Sequence, residues 1–324
     1  MPLSFMVFIV VLSVLPAIIW FLVIHKLRNI SINKALLTFG GGMLAILPIL
    51  LMKYLFNPQP DFDFMLVKGN IQIFDFFKAV EASFENATMA LFAGFVLVGI
   101  IEEYLKHYVV KKIDSKDKSF ATIADAIGFA AFAALGFAFL ENIFYAMTAA
   151  QEFGVLRHWE QLSFFHFLMQ PEALTLILII FLRSVLSTCA HILFASIYGY
   201  YYGLHKFAKE EMIEKIGQGH QFRITHWISK VTRIPLVKIF SGEMLMEGLF
   251  LAMLVHAAYN FFMASGFAIL AVVLVIIGFI GVMYELQTRA NLMNLRIIDE
   301  EINLAKKMHE IDEEKKHIKE QGGQ

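Results

Sequence analysis

The chain has 324 residues, of which 58% are hydrophobic and 17% charged, and its net charge is −1. Soluble domains usually contain about 25% charged residues, so this composition excludes an ordinary soluble domain and indicates a membrane protein. We expect the lipid bilayer as the surroundings of the chain and no nucleic-acid partner.

Seven apolar segments are long enough to cross a hydrocarbon core of about 30 Å, which requires roughly 20 helical residues. In chain order they lie near residues 3–24, 35–56, 84–106, 121–149, 173–204, 244–264 and 267–285. The first has no basic n-region, and its apolar run is longer than the roughly 7–15 residues of a signal-peptide h-region. We therefore interpret it as a retained helix.

These segments predict an all-α fold, a polytopic membrane helix bundle of about seven transmembrane helices. The transmembrane domain is assigned to residues 1–285, and its core, residues 84–264, contains the polar motifs described below. Residues 286–324 are rich in charge and contain no glycine before Gly322, so we expect a charged cytoplasmic helix there.

The basic residues divide unevenly between alternate loops. The loops after the first, third and fifth segments contain 15 Lys and Arg residues, whereas the loops after the second and fourth contain three. Because cytoplasmic loops of membrane proteins are enriched in Lys and Arg, we predict an external N-terminus and a cytoplasmic C-terminal tail.

Two adjacent carboxyl groups, Glu102 and Glu103, end an apolar run, and Lys106 follows one helical turn later. Charged groups at or within a bilayer are costly and usually mark a functional site. Glu102 and Lys106 are four residues apart and can pair. Neighbouring carboxylates oppose each other's ionisation, so one of them could act as a general acid or base. The alternative is a charged helix end at the cytoplasmic interface.

The fifth segment contains Arg183 beside a polar stripe on one helix face. The stripe consists of Ser184, Ser187, Thr188 and His191. A charged arginine in a membrane helix needs a partner, and Glu141 in the fourth segment is the obvious candidate. We predict an ion pair between Arg183 and Glu141, which serves either substrate handling or helix register.

The sixth segment carries His256 and Asn260, four residues apart on one helix face. A neutral histidine and an asparagine can both donate hydrogen bonds, as an oxyanion requires. The alternative is an interhelical hydrogen bond, worth about 1 kcal/mol in a membrane protein.

The predicted depths of these groups differ. Glu102 and Glu103 lie near the inner end of the third segment, whereas His191 lies ~20 Å from the inner end of the fifth at ~1.5 Å per residue. The carboxylates reach the level of His191 only if the third helix continues past Lys106 within the membrane, or if the cavity opens to the cytoplasm.

Taken in chain order, these motifs resemble the PrsW family of glutamate-type intramembrane proteases, which is related to the CAAX prenyl protease and bacteriocin-processing membrane proteins. The resemblance covers roughly residues 95–262. It rests on the Glu102-Glu103-x-x-Lys106 motif, the run that begins with Glu141 and Asn142, Arg183 with His191, and His256 with Asn260.

The resemblance implies an intramembrane endopeptidase that cuts a membrane-associated protein substrate in a prokaryotic cytoplasmic membrane. It implies that Glu102 and Glu103 supply the carboxylate and that His191 helps to polarise the attacking water. His256 and Asn260 would then stabilise the oxyanion. The remaining motif residues are assigned to substrate binding or structural support: Lys106, Glu141, Asn142 and Arg183.

We expect no cofactor and no metal ion. The alternative is a zinc ion held by Glu103, His191 and His256, because two histidines and one glutamate are a frequent set of zinc ligands. No HExxH motif supports it. Two other functions remain open. Intramembrane Glu, His and Arg residues also form the proton relays of transporters and channels, and a non-catalytic membrane scaffold is the second alternative.

Overall fold

The computed structural model describes residues 2–28, 30–49, 86–117, 120, 122–217 and 219–288. All regular secondary structure within these residues is helical, which confirms the predicted all-α class. The helices in chain order are α1 (Leu3–Arg28), α2 (Ile32–Leu44), α3 (Ala87–Asp117), α4 (Ile123–Glu152), α5 (Val155–Gln161), α6 (Phe164–Leu168), α7 (Pro171–Leu182), α8 (Thr188–Lys206), α9 (Ala208–Gly217), α10 (Arg223–Thr232), α11 (Leu236–Ala264) and α12 (Ala268–Thr288). A π-helical turn, Arg183–Ser187, joins α7 to α8.

Within the described residues, seven helical stretches are long and apolar enough to cross a membrane: α1, α2 extended to Ile49, α3, α4, the continuous helix Pro171–Lys206, α11 and α12. The number agrees with the sequence prediction, and the chain is an integral membrane protein. Two ends differ most from the predicted segments, because α3 continues to Asp117 and α11 begins at Leu236. Charged residues end the apolar windows at these places, but lysine and glutamate are good helix formers and do not end a helix.

The chain divides into two compact units, Met1–Ile277 and Gly278–Gln324. The first contains α1 to α11 and every candidate site residue. In the second, the described part is helical and reaches Thr288. The predicted cytoplasmic tail helix therefore lies outside the described residues.

Helix α4 is the central helix of the first unit, and most of its side chains are buried. It contacts α1, α2, α3 and α8. A capping box begins the helix. Asp125 N–H donates to Thr122 Oγ1 at 3.1 Å, and Thr122 N–H donates to Asp125 Oδ2 at 2.9 Å. These bonds satisfy two of the free N–H groups at the helix start.

Glycines allow α4 to approach α2 closely. A Cβ atom at Gly136 would lie 1.9 Å from the carbonyl oxygen of Phe39, and one at Gly42 would lie 2.0 Å from that of Ala133. Neither position has room for a side chain. Small residues of this kind let membrane helices pack backbone against backbone.

A second close crossing joins α3 to α11. A Cβ atom at Gly99 would lie 2.8 Å from the carbonyl oxygen of Met253. His256 lies between Met253 and Ala257, whose backbone atoms both lie within 4 Å of a Cβ atom at Gly99, and Glu103 follows Gly99 by one turn of α3. The crossing therefore brings the Glu103 and His256 side chains together.

Candidate active site

The continuation of α3 past Lys106 places Glu102 and Glu103 near the middle of a long membrane-spanning helix. The sequence analysis required this continuation, or a cavity open to the cytoplasm, if the two carboxylates are to lie at the same membrane depth as His191. Glu103 and Lys106 are each only 2% exposed, so the motif is not a solvated helix end.

Glu103 accepts hydrogen bonds from two side chains. Lys106 Nζ donates to Glu103 Oε1 at 2.6 Å, and His256 Nδ1 lies 2.8 Å from the same oxygen. Because an ionised carboxylate can only accept, His256 carries a proton on Nδ1. In the neutral ring, Nε2 is then left with a free lone pair. The pairing of Lys106 with Glu102 is longer, at 4.0 Å.

Glu102 has an oxygen without a donor. Its Oε2 is buried and makes no hydrogen bond to a described residue. It lies 3.8 Å from His256 Nε2 and 4.0 Å from Lys106 Nζ, and both distances exceed those of a hydrogen bond. An unsatisfied buried carboxylate oxygen is costly. The position therefore suits a water molecule, a metal ion or a group of the substrate.

His191 is held at both ring nitrogens. Its Nε2 lies 2.9 Å from Glu141 Oε2, and its Nδ1 lies 2.8 Å from Lys106 Nζ. An ammonium can only donate, so Nδ1 is the acceptor and Nε2 donates to Glu141. Both histidines thus have a glutamate behind one nitrogen and a lone pair on the other. Carboxylates placed in this way fix the tautomer and the orientation of the ring.

Arg183 links α4 to the polar stripe of the fifth span. Its Nη2 lies 3.4 Å from Glu141 Oε2, which confirms the predicted contact, and its Nε donates to Asn142 Oδ1 at 3.1 Å. Asn142 Nδ2 in turn donates to Thr188 Oγ1 at 3.1 Å. The guanidinium carbon lies 3.5 Å from the ring centroid of Tyr145. These contacts hold Glu141 in the orientation that reaches His191.

Two phenylalanines form apolar walls that the sequence analysis missed. The ring of Phe194 stacks on His256 with 4.6 Å between centroids, and Lys106 Nζ lies 4.6 Å from the centroid of Phe137. A signal for them exists in the sequence, because each lies one helical turn from a polar site residue, Phe194 after His191 and Phe137 before Glu141. Their rings lower the local dielectric and strengthen the electrostatic contacts between the polar groups.

The structure brings together eight of the nine predicted site residues: Glu102, Glu103, Lys106, Glu141, Asn142, Arg183, His191 and His256. The ninth, Asn260, lies one turn after His256 on α11 and is half-buried. Its side chain makes no hydrogen bond to a described residue.

The protein-family model described as "PrsW family intramembrane metalloprotease" matches residues 30–284, a range that includes all of these residues. The chain belongs to the PrsW family. The match extends well beyond residues 95–262, to which the sequence resemblance was limited, and it takes in α2 and most of α12.

Two curated PrsW relatives show how far the similarity reaches. Protease PrsW of Clostridioides difficile is 28% identical over 124 residues, which are 38% of this chain and 43% of the relative. Protease PrsW of Oceanobacillus iheyensis is 24% identical over 165 residues, which are 51% of this chain and 53% of the relative. The chain thus spans about half the length of the curated relatives it matches. No solved structure matches it at a significant level.

The description of the PrsW family names a metalloprotease, whereas we expected no metal from the sequence. Glu102, His191 and His256 each offer one ligand atom, and these atoms lie within 4.8 Å of one another. Two histidines and one glutamate form a common catalytic zinc set, and the unsatisfied Oε2 of Glu102 suits a cation. The residues therefore fit a divalent metal ion. The set contains Glu102 in place of Glu103, because Glu103 is already engaged by Lys106 and His256.

Proposed function

We propose that this chain is an intramembrane endopeptidase that hydrolyses a peptide bond in a membrane-associated protein substrate. The observation that carries the proposal is the group of Glu102 and the two buried histidines His191 and His256, whose ligand atoms lie within 4.8 Å of one another in an apolar bundle. This separation suits one water molecule that bridges two of the groups. Membership of the PrsW family supports the same activity.

We assign the general base to Glu102 and a positioning role to Glu103. Glu102 Oε2 is buried without a hydrogen-bond donor among the described residues, so it is free to accept a proton from water. Glu103 Oε1 already accepts from Lys106 and His256, at 2.6 and 2.8 Å. A base must lie within hydrogen-bond reach of the proton it takes, and its acceptor must be free.

In the metal-free form of the reaction, water is held between Glu102 Oε2 and the free lone pair of His256 Nε2, which lie 3.8 Å apart. The Nδ1 lone pair of His191 is already taken by Lys106. Glu102 accepts the proton of the water as its oxygen attacks the peptide carbonyl. Glu102 then gives this proton to the leaving amine and is ionised again at the end of the cycle. Glu141, 2.9 Å from His191 Nε2, keeps the lone pair of His191 Nδ1 directed into the site.

The oxyanion is assigned to Asn260 and His256. The amide of Asn260 has N–H groups that no described residue uses, and it lies one turn from His256. His256 donates Nδ1–H to Glu103, so it can stabilise an oxyanion only through Nε2 in a doubly protonated ring. Asn260 is therefore the principal donor in our assignment.

A divalent metal ion would be held by Glu102, His191 and His256, and when bound it would supply Lewis-acid polarisation of the water and of the peptide carbonyl. In this form the other glutamates keep the tasks described above. Glu103 orients His256, and Glu141 orients His191.

Cleavage of a panel of single-pass membrane proteins by the purified chain in detergent tests the proposal. We expect Glu102→Gln to leave almost no cleavage, and Asn260→Ala to reduce the rate by about 10²–10³-fold. The matched control is Glu247→Gln on α11, since Glu247 is exposed and bonds Tyr201 at 3.1 Å, away from the site. Wild-type rates in both Glu102→Gln and Glu103→Gln would contradict the proposal.

A chelator distinguishes the two forms of the reaction. If o-phenanthroline stops cleavage and added zinc restores it, Glu102 acts as a metal ligand. If cleavage continues unchanged in the chelator, Glu102 acts as the base. The Glu247→Gln control should follow the wild type in either case.

A further inference from the structure

The Lys106 ammonium lies at the centre of the site. Its Nζ is 2.6 Å from Glu103 Oε1, 2.8 Å from His191 Nδ1 and 4.0 Å from Glu102 Oε2. The ring centroid of Phe137 lies 4.6 Å away, and the residue is 2% exposed. Lysine is almost never buried so completely unless it is paired.

The groups around this ammonium are of the types that bind metal ions. His191 Nδ1 accepts from the ammonium, so it has the unprotonated form that a metal requires. Glu102 Oε2 has no hydrogen-bond donor among the described residues. Two of the three members of the candidate metal group thus lie around Lys106 Nζ. One lone pair on His191 Nδ1 cannot serve an ammonium and a metal ion at the same time.

We propose that Lys106 is a tethered cation that occupies the metal position and competes with a divalent metal ion for His191. The inference rests on the metal-holding capacity described under the proposed function, but it does not depend on proteolysis. Lys106 would withdraw from His191 as the ion binds. It is thus a positioning residue that sets both the shape of the site without metal and the affinity of the site for metal.

The charges of the site support an exchange of cations. Three glutamates, Glu102, Glu103 and Glu141, lie close to two cationic side chains, Lys106 and Arg183. A divalent ion added beside Lys106 would bring two further positive charges into a buried cluster. If the ion displaces the ammonium from the cluster, the net charge of the cluster rises by one and not by two. The desolvation cost of binding the ion is then smaller.

The same contacts predict two opposite effects of removing Lys106. Without metal, the ammonium pairs with Glu103 and donates to His191, so its loss should destabilise the fold. With metal, the competitor is gone, so binding should tighten. A lysine that merely supports the metal ligands would instead give weaker binding when it is removed.

Titration with Co²⁺ tests the competition, because the visible absorption of the ion reports its coordination. The full chain is purified in detergent, treated with EDTA and titrated without substrate. We expect Lys106→Met to bind Co²⁺ about tenfold more tightly than the wild type, or ~1.4 kcal/mol. Lys106→Gln keeps a hydrogen-bond donor without the charge. It should change affinity in the same direction, and it serves as the test if the methionine variant does not fold.

The matched control is Lys206→Met. Lys206 is also a paired lysine beside an aromatic ring, 2.5 Å from Asp114 Oδ1 and 4.9 Å from the centroid of Phe120. Lys206 lies outside the site, so the Co²⁺ affinity of the Lys206→Met variant should equal that of the wild type. His191→Ala should abolish the Co²⁺ spectrum.

Equal or weaker Co²⁺ binding by the Lys106 variants overturns the inference, and so does the absence of Co²⁺ binding in the wild type and the variants alike. The titration contains no substrate, so a failure of the cleavage assay does not alter its result. Conversely, if the chain cleaves its substrate but Lys106 does not compete with Co²⁺, the proposed function stands and this inference is wrong.

Discussion

Glu141 is the residue through which the outer polar contacts act on the site. One oxygen, Oε2, lies 2.9 Å from His191 Nε2 and 3.4 Å from Arg183 Nη2. The shorter contact sets the tautomer of His191, and the longer one holds the carboxylate. A change at Arg183 should therefore reach His191 through Glu141.

A double-mutant cycle measures this coupling. Arg183→Met or Glu141→Gln alone leaves a partly buried group without its partner, and each should destabilise the chain. The double variant should be more stable than the sum of the two changes predicts, with a coupling energy of ~1 kcal/mol. Denaturant unfolding in detergent measures the change in the free energy of unfolding for each single variant and for the double variant. Additive effects would show that the two side chains do not interact.

The control cycle combines Arg183→Met with Glu247→Gln. Glu247 is exposed and bonds Tyr201, with no contact to Arg183. Effects of distant residues add, so this cycle should give no coupling within error.

The sequence predicted eight polar residues that lie together in the structure, because buried charges in membrane helices are costly and need partners. It also predicted the partner of Arg183. It did not predict that Lys106 contacts His191 or that His191 contacts Glu141. These contacts depend on how α3, α4 and α8 face one another, and spacing within one helix does not contain that information.

At the scale of elements, the crossing of α3 and α11 positions Glu103 against His256. The crossing is close because residue 99 has no side chain, with the carbonyl oxygen of Met253 only 2.8 Å from where a Cβ atom would lie. A backbone oxygen cannot turn away as a flexible side chain can. The two helices must separate if residue 99 acquires a side chain.

We therefore expect Gly99→Ala to destabilise the chain by about 1–3 kcal/mol, the usual cost of overpacking, and to slow cleavage. The measurement is the thermal unfolding midpoint in detergent, followed by the cleavage rate of the folded protein. Gly242→Ala on α11 is the control, because a Cβ atom there meets nothing within 4 Å. That variant should be neutral or up to about 1 kcal/mol more stable, since alanine favours helix. Equal stability of the two variants would contradict the close crossing.

The sequence predicted the helices better than their ends. Hydropathy identified seven spans because a helix that crosses the bilayer needs an apolar run as long as the hydrocarbon core is thick. It ended α3 at Lys106, although the helix continues to Asp117. Charge limits an apolar window, but a helix ends only where its backbone hydrogen bonds end. The same difference explains why α11 begins at Leu236, before its apolar window.

At the scale of the whole molecule, the charge of the loops predicts the orientation in the membrane, with the N-terminus outside. Lys112 near the end of α3 should then be cytoplasmic, and Arg157 in α5 external. Single cysteines at these two positions test this in a Cys189→Ala background, since Cys189 is the single cysteine of the chain. A membrane-impermeant maleimide should label position 157 in intact cells, and position 112 only after permeabilisation. The reverse pattern would mean the opposite orientation.

The π-helical turn at Arg183–Ser187 sets the angular phase between the two halves of the span Pro171–Lys206. Thr188 N–H reaches back five residues to the carbonyl oxygen of Arg183, so the turn holds one residue more than an α-turn. One residue rotates a helix by roughly 100°, so the halves are out of phase by that angle. An unbroken α-helix in this place would direct His191 away from Glu141. The length of this turn, and not only its residues, therefore fixes the direction in which His191 points. Deleting one residue from the turn would rotate His191 relative to α7 without unwinding either half of the span.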